Sequence, residues 1–295
     1  MRLVRSVLLL LTLAGSAQVV AAPERLTADT SAMLESSEGW KGKDSLGAQR
    51  SFDLSYGFTA KEKLDIYLPA HPPKAIIVIV HGGAWRTGDK SAKAVIANKG
   101  QHFIDQGYAF MSINYPLLPD ANPDVQAQAV AMAISKIQIP NANTQMAVKN
   151  IIVIGHSAGA HLLALISANP RAYPGLQPWR ASILLDSAAL DVPKIMRARH
   201  FPLYDKAFGK EEAFWEKVSP VHHIKQPVPS LFVCSSRRRT ACEQASEASM
   251  AWQAQGGSSA VLPEDLSHRQ INDELGQPSD YTSAVDAFIE QHLAL

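Results

Sequence analysis

The sequence has few cysteines, little net charge and no apolar run of membrane length. Its only two cysteines leave room for a single disulfide. The formal net charge is +1, so charge gives no reason to expect nucleic acid or an acidic surface as a partner. The N-terminal apolar run, residues 7–13, is well short of the roughly 20 residues that a membrane span needs. A membrane anchor is therefore not expected at the N-terminus.

The first residues have the order of a secretory signal peptide. Arg2 and Arg5 supply positive charge, residues 7–13 are apolar except for one threonine, and Ala21-Ala22 offers a cleavage site. We predict that residues 1–22 are removed on export to the periplasm or the medium, and that the mature protein is not inserted in a membrane. In an exported protein, Cys234 and Cys242 are expected to form a disulfide that holds the short loop between them.

The rest of the chain indicates one domain. Residues 23–47 are polar and weakly patterned, which is typical of a loosely ordered arm. In residues 48–295, short apolar runs rich in β-branched residues alternate with helical stretches. This alternation predicts an α/β domain with a mostly parallel sheet and helices on both faces. In such a sheet the active site lies beyond the carboxyl ends of the strands.

A candidate nucleophile lies in the pattern Gly-His-Ser-Ala-Gly at residues 155–159. An apolar strand, residues 151–154, runs into this pattern, and a helical stretch follows it. Strand, turn and helix in this order form the context of a nucleophile elbow. The turn is so tight that Gly155 and Gly159 are needed beside the serine. We predict that Ser157 is the nucleophile.

A candidate oxyanion hole lies in His-Gly-Gly-Ala-Trp at residues 81–85, directly after an apolar strand at residues 75–80. Glycines let backbone N–H groups approach a substrate oxygen that becomes negative during acyl transfer. We predict that the donors are the N–H groups of Gly83 or Ala84, together with that of Ala158. His81 is expected to brace the loop through hydrogen bonds.

The candidate base is His268, because a base for Ser157 is expected after the last strand. His222 and His223 precede a strand, and His292 lies in the final helix. A neutral imidazole at position 268 can take the serine proton and later return it to the leaving group.

Together these motifs resemble the α/β-hydrolases that include feruloyl-esterase-like carboxylesterases and kynurenine-formamidase-like enzymes. The resemblance covers nearly all of the mature chain and implies an α/β-hydrolase fold, with a small cap inserted at residues 191–229. Large side chains in that insertion are expected to line an apolar pocket. The matching stretches are Leu-Asp-Ile-Tyr-Leu-Pro at residues 64–69, residues 81–85, Asn114-Tyr115, residues 155–159, and His268 with the Ile-Asn that follows.

The sequence departs from this family at the acid of the triad. The resemblance places the acid after the strand predicted at residues 231–233, but residues 235–240 contain no carboxylate. Asp186, one strand earlier, matches the alternative position of pancreatic-type lipases and is the acid that we predict. Asp191 resembles a structural aspartate, and Glu243 also fits a capping box with Thr240. Both remain alternatives.

We therefore predict a serine hydrolase that cleaves small carboxylic esters through an acyl-enzyme. An arylformamidase or amidase of the same fold and a catalytically impaired binding protein are the alternatives. No His, Asp and Glu cluster has metal-ligand spacing, and no glycine loop suits a nucleotide, so neither metal nor cofactor is predicted. Arg237, Arg238 and Arg239 are expected to lie in a solvated loop or to recognise an anionic group on the substrate.

Overall fold

The computed structural model describes residues 49–139 and 150–294. The predicted signal peptide at residues 1–22 and the predicted arm at residues 23–47 lie outside these residues. A sheet of eight strands occupies the centre, in the order β1-β2-β4-β3-β5-β6-β7-β8. The strands are β1 Gln49–Ser55, β2 Lys63–Leu68, β3 Ile76–Val80, β4 Ala109–Ile113, β5 Ile151–His156, β6 Ala181–Leu185, β7 Ser230–Ser235 and β8 Ser259–Glu264.

Parallel pairing dominates the sheet. Strands β3 to β8 pair with one another in parallel, whereas β2 is antiparallel to both β1 and β4. The predicted mostly parallel α/β architecture is confirmed. None of the helices in the described ranges combines the length and the apolarity of a membrane span. These helices are α1 Lys93–Asp105, α2 Pro123–Ile137, α3 Ala158–Ala168, α4 Val192–Met196, α5 Pro202–Phe208, α6 Glu212–Lys217, α7 Arg239–Ala254, α8 His268–Asp273 and α9 Asp280–Leu293.

The central strands are apolar along their whole length because each face of the sheet has its own core. In β3, Ile76, Val78 and Val80 pack in one buried cluster, whereas Ile77 and Ile79 pack in the other. Successive side chains of a strand point to opposite faces, so a strand that is covered on both sides needs apolar residues at every position.

Strand β2 differs from the sequence-based expectation. Its alternating pattern predicts a half-buried strand, but residues 64–67 are all buried, so this prediction is wrong. Lys90 covers the face of β2 that carries Asp65, and its ammonium group lies 2.7 Å from the Asp65 carboxylate. Strand β1, which the sequence pattern does not indicate, pairs with β2 and covers its outer edge.

The insertion between β6 and β7 contains α4, α5 and α6. Two aromatic residues of α5, Tyr204 and Phe208, pack against Trp85 of the loop after β3. The insertion therefore lies beside the carboxyl ends of the strands, where the candidate site is found. That it acts as a separate cap remains a prediction.

Candidate active site

Ser157 occupies a strained turn between β5 and α3, with φ of 55°. Close backbone contacts explain the glycines on either side of it. A Cβ atom on Gly155 would lie 2.6 Å from the Gly159 carbonyl oxygen, and one on Gly159 would lie 2.4 Å from the carbonyl oxygens of Val80 and His81. Such distances exclude any larger residue. The strand, turn and helix expected of a nucleophile elbow are thus all present.

The three side chains predicted to form a triad lie in one hydrogen-bonded chain. Ser157 Oγ is 3.0 Å from His268 Nε2, and His268 Nδ1 is 2.6 Å from Asp186 Oδ2. The hydroxyl can donate to Nε2 when Nδ1–H donates to the carboxylate, which is the tautomer that a Ser-His-Asp triad requires. The structure therefore brings the predicted residues together. Their catalytic roles remain predictions.

Asp186 is buried and held by several donors. Its side chain is fully covered, and Oδ1 accepts from the Ser235 N–H at 2.9 Å while Oδ2 accepts from Arg238 Nη1 at 2.5 Å. Burial alone would raise the pKa of Asp186. The hydrogen bond from His268, the charge of Arg238 and the Ser235 N–H outweigh burial and bring this pKa below its ordinary value. The carboxyl group is therefore ionised.

His268 is the first residue of α8, and contacts on both sides fix its backbone. Ser267 and Gln270 form a capping box at the start of α8. His156 Nε2 donates to the His268 carbonyl oxygen at 3.0 Å, and the two rings lie 4.6 Å apart. Burial, followed by the neighbouring His268, lowers the pKa of His156 to about 3, so His156 stays neutral and acts as this donor.

The alternative acids lie elsewhere. Asp191 caps α4, where its Oδ1 accepts from the Lys194 N–H at 3.1 Å. Glu243 is exposed and lies 3.5 Å from Arg239. The capping box predicted for Glu243 is wrong, because α7 begins at Arg239 and Thr240 already lies inside the helix.

The candidate oxyanion loop is a tight turn after β3. Gly83, Ala84 and Trp85 all have positive φ, at 127°, 51° and 58°. The N–H groups of Arg86 and Thr87 both donate to the Gly83 carbonyl oxygen, which closes the turn. The loop lies against the turn that carries Ser157, since a Cβ atom on Gly82 would be 3.1 Å from the Ser157 Cβ atom.

The predicted oxyanion donors have their N–H groups available. Within the described part of the chain, the N–H groups of Gly83, Ala84 and Ala158 have no hydrogen-bond acceptor. Ala84 and Ala158 line the same cavity as Ser157, whereas Gly83 is not part of its wall. Oxyanion binding by these groups remains a prediction.

His81 braces the candidate oxyanion loop through its contacts, as its sequence position indicates. Its Nδ1 is 2.7 Å from the Gly82 carbonyl oxygen, and its ring stacks on Tyr115 at 4.4 Å. The Tyr115 hydroxyl donates to the His81 carbonyl oxygen at 2.7 Å. Burial lowers the pKa of His81, so the ring is neutral.

A cavity of about 280 Å³ opens at Ser157. Most of its wall is apolar, and its polar groups are Ser157, His268, Asp186, Ser187 and Arg238. Among the described residues, no group of three or more His, Cys, Asp or Glu side chains is arranged to hold a metal ion. The apolar wall consists of Ala84, Trp85, Ala158, Ala188, Ala189, Phe201, Leu203 and Tyr204.

The three arginines do not share one environment. Arg237 pairs with Asp265 at the surface, at 2.7 Å, and Arg239 is 90 % exposed. Arg238 instead reaches the Asp186 carboxylate, so the expectation of a solvated loop holds for its neighbours and is wrong for Arg238. The sequence pattern does not identify this ion pair. The one available signal is an arginine run where the resemblance implies a carboxylate.

Cys234 and Cys242 are joined by a disulfide, with their Cα atoms 5.2 Å apart. Cys234 lies in β7 and Cys242 lies in the first turn of α7. The bridge therefore closes the loop that carries Arg238.

Comparison with known proteins gives a consistent result. A family model described as BD-FAE matches residues 64–173. Kynurenine formamidase of Danio rerio is 25 % identical over 150 residues, covering 50 % of this chain and 49 % of that protein. The probable carboxylic ester hydrolase LipM of Mycobacterium tuberculosis is 28 % identical over 211 residues, covering 63 % of this chain and 47 % of that protein. The chain thus spans about half the length of these two curated relatives.

Solved structures share the fold. Esterase B of Lactobacillus rhamnosis superposes with a TM-score of 0.66 at 17 % identity, covering 90 % of this chain and 91 % of that chain. At this identity the likeness concerns the fold. Together with the family match and the sequence relatives, it shows that the chain has the α/β-hydrolase fold and is similar to an esterase-like group.

Proposed function

We propose that the protein is an exported serine hydrolase that cleaves carboxylic esters through an acyl-enzyme. The observation that carries the proposal is the chain of contacts from Asp186 through His268 to Ser157, at the edge of an apolar cavity. A serine hydroxyl is a weak nucleophile until a positioned base takes its proton. His268 is within hydrogen-bond distance of that proton, and Asp186 orients it.

In the first half of the reaction, Ser157 Oγ attacks the ester carbonyl carbon while His268 Nε2 takes its proton. The carbonyl oxygen becomes negative, and the N–H groups of Ala158 and of Gly83 or Ala84 stabilise it. The tetrahedral intermediate collapses, the bond to the alcohol breaks, and His268 returns the proton to the departing alcohol oxygen. Ser157 is left acylated.

In the second half, a water molecule replaces the alcohol. His268 takes a proton from the water, whose oxygen attacks the acyl carbon, and the acid leaves as Ser157 recovers its proton. Asp186 stays ionised throughout, because Ser235 and Arg238 hold it as a carboxylate. No step requires a metal or a cofactor.

Ester cleavage is favoured over amide cleavage by the relatives that carry esterase descriptions, among them LipM. The kynurenine formamidase of Danio rerio supports arylformamide cleavage as the second candidate. Both reactions use the same acyl transfer at Ser157 and differ in the leaving group. Export is supported by the signal-like residues 1–22 and by the Cys234–Cys242 disulfide.

A substrate comparison tests the proposal. We expect the purified protein to hydrolyse p-nitrophenyl esters of short acids, and its Ser157 to react with a fluorophosphonate probe. A feruloyl ester and an N-formyl arylamine are assayed beside them. Labelling without ester hydrolysis but with cleavage of the formyl compound would select the formamidase. Absence of both labelling and hydrolysis would contradict the serine hydrolase proposal.

A further inference from the structure

Three consecutive arginines follow β7, and the middle one contacts the triad. Arg238 Nη1 lies 2.5 Å from Asp186 Oδ2, 3.2 Å from the Asp186 carbonyl oxygen and 2.8 Å from His268 Nδ1. Its side chain is about one-third exposed at the cavity wall. A permanent cation thus lies where the resemblance implies an acid.

The contact with His268 is electrostatic. Nδ1 of the neutral ring donates its hydrogen to Asp186 Oδ2, so Nδ1 cannot also accept from the guanidinium. A single carboxylate oxygen therefore serves both His268 and Arg238. A guanidinium group does not lose its proton in proteins, so Arg238 places a constant positive charge beside the His268 ring.

The other groups facing this couple carry little charge. From β5, His156 faces the His268 ring and is kept neutral by burial, while Ser157 contacts Nε2. From α5 and α9, Tyr204 and Tyr281 face Asp186, and burial raises the pKa of both phenols, which keeps them neutral. The Ser235 N–H is a dipole without net charge. Arg238 is thus the cation in direct contact with the couple among the described residues.

The position of Arg238 is fixed at its backbone. Its N–H donates to the Ser235 carbonyl oxygen at 2.9 Å, and its own carbonyl oxygen accepts from the Ala241 N–H at 2.9 Å. The disulfide between Cys234 and Cys242 closes the loop around it. These contacts fix the backbone of Arg238, and the bond from Nη1 to Asp186 Oδ2 positions its guanidinium.

We propose that Arg238 is a positioning residue of the triad, whose charge opposes protonation of the Asp186–His268 couple and thereby extends activity toward lower pH. This inference rests on the proposed serine hydrolase function. A proton that binds to Asp186 or to His268 adds positive charge beside the guanidinium. Arg238 therefore disfavours protonation of both residues. Activity requires the unprotonated ring, so removal of the cation moves the acid limb of the pH–rate profile to higher pH.

The test is the pH dependence of kcat/KM for a neutral p-nitrophenyl ester. Arg238→Gln keeps an amide donor but loses the charge. In this variant we expect the acid limb to move up by about one pH unit. This is the lower end of the range for a charge at this distance, because the Arg238 and His268 side chains are both partly exposed. Arg238→Lys, which keeps the charge, should retain the original limb. Arg237→Gln and Arg239→Gln are matched controls and should leave the profile unchanged. An acid limb in Arg238→Gln that coincides with that of the unsubstituted protein would overturn the inference.

A measurement without turnover separates this inference from the proposed function. In a Ser157→Ala background, the ring signals of His268 are followed by NMR against pH, with and without Arg238→Gln, and His268→Gln assigns them. We expect the midpoint to rise by about one pH unit on loss of the charge. An unchanged midpoint in a folded variant would overturn the electrostatic role even if the protein is an esterase. If the unsubstituted protein hydrolyses no ester, the proposed function fails while the NMR shift still measures the effect of Arg238.

Discussion

Ser157 donates its backbone N–H to the carbonyl oxygen of Leu185, the residue directly before Asp186, at 2.9 Å. The next strand repeats this arrangement, since the Asp186 N–H donates to the Val233 carbonyl oxygen at 2.8 Å. The candidate nucleophile and acid thus each lie one residue beyond a parallel strand pair. Their spacing is set by hydrogen bonds that extend the sheet, with little dependence on loop conformation.

The first prediction concerns the nucleophile. We expect Ser157→Ala to abolish ester hydrolysis and fluorophosphonate labelling and to leave the free energy of unfolding nearly unchanged, because the hydroxyl contributes little packing. Initial rates with a p-nitrophenyl ester and a urea unfolding curve measure both. A folded variant that keeps most of its esterase rate would rule out Ser157 as the nucleophile.

The second prediction identifies the acid. Asp186→Asn should lower kcat by up to roughly four orders of magnitude, because an amide holds the ring in the wrong tautomer. Asp191→Asn and Glu243→Gln are the matched controls. Asparagine caps a helix about as well as aspartate, and Glu243 is exposed, so both controls should keep nearly full kcat. If Glu243→Gln is the variant that loses turnover, the acid assignment is wrong.

The third prediction concerns the disulfide. Unreduced, denatured protein should contain no titratable thiol, and reducing the Cys234–Cys242 bridge should cost at most about 2.5 kcal/mol, since the bridged residues are close in sequence. Thiol titration and denaturant unfolding provide the two measurements. Two reactive thiols in protein purified after export would contradict the bridge.

The fourth prediction uses the buried His161. Its Nδ1 accepts from Trp85 Nε1–H at 3.1 Å, its Nε2 donates to the Val218 carbonyl oxygen at 2.8 Å, and burial lowers its pKa to about 4. In the unfolded chain the imidazole of His161 binds a proton near pH 6.5, whereas in the native protein it stays neutral until about pH 4. The neutral, buried His161 therefore contributes fully to the free energy of unfolding above pH 6.5. This contribution falls by about 1.4 kcal/mol per pH unit between pH 6.5 and about pH 4.

His161→Gln tests this contribution, because glutamine can keep both hydrogen bonds but does not titrate. The free energy of unfolding is measured between pH 7 and pH 4 for both proteins. We expect the variant to show a slope that is shallower by about 1.4 kcal/mol per pH unit. Equal slopes would mean that His161 is protonated in the native state.

The fifth prediction concerns the cavity. Leu203 lines its wall, so Leu203→Ala should enlarge it and raise the preference for longer esters, by about fourfold in kcat/KM for each additional methylene buried. The ratio of the rates for p-nitrophenyl hexanoate and butyrate measures this. Val221→Ala is the control, because Val221 packs on the same core but does not line the cavity. An equal change of the ratio in both variants would show that Leu203 does not shape the substrate site.

The sequence predicts the fold where its pattern is set by the sheet itself. Strands such as β3 and β5 are continuous apolar runs because both faces are covered, so composition alone indicates them. Gly107, which follows the end of α1, has a φ of 84°, a backbone conformation that suits glycine. The mostly parallel α/β architecture could therefore be predicted from the pattern and the α/β-hydrolase fold from the resemblance, and both are confirmed.

Features that depend on contacts between distant segments could not be predicted in the same way. Lys90, 25 residues along the chain from Asp65, pairs with its carboxylate and buries it. Strand β2, which alternates apolar and polar residues, is therefore covered on both faces. Arg238 reaches Asp186 across 52 residues, and nothing near either residue in the sequence indicates the other. Ser157 and His268 are predicted from their places after strands, and Asp186 from the resemblance to pancreatic-type lipases. The structure brings the three side chains together, but their catalytic roles await the substitutions above.

Strand β8 lies at the edge of the sheet and pairs with β7 alone, yet α8, which follows it, carries His268. Edge strands open more readily than interior ones, so β8 and α8 can detach by local unfolding while β5 and β6 stay paired. In such an opened molecule Ser157 would stay in place, but His268 would no longer lie within hydrogen-bond distance of it. Inactivation by mild denaturant or heat should then precede global unfolding, and amide hydrogens of β8 should exchange faster than those of β5.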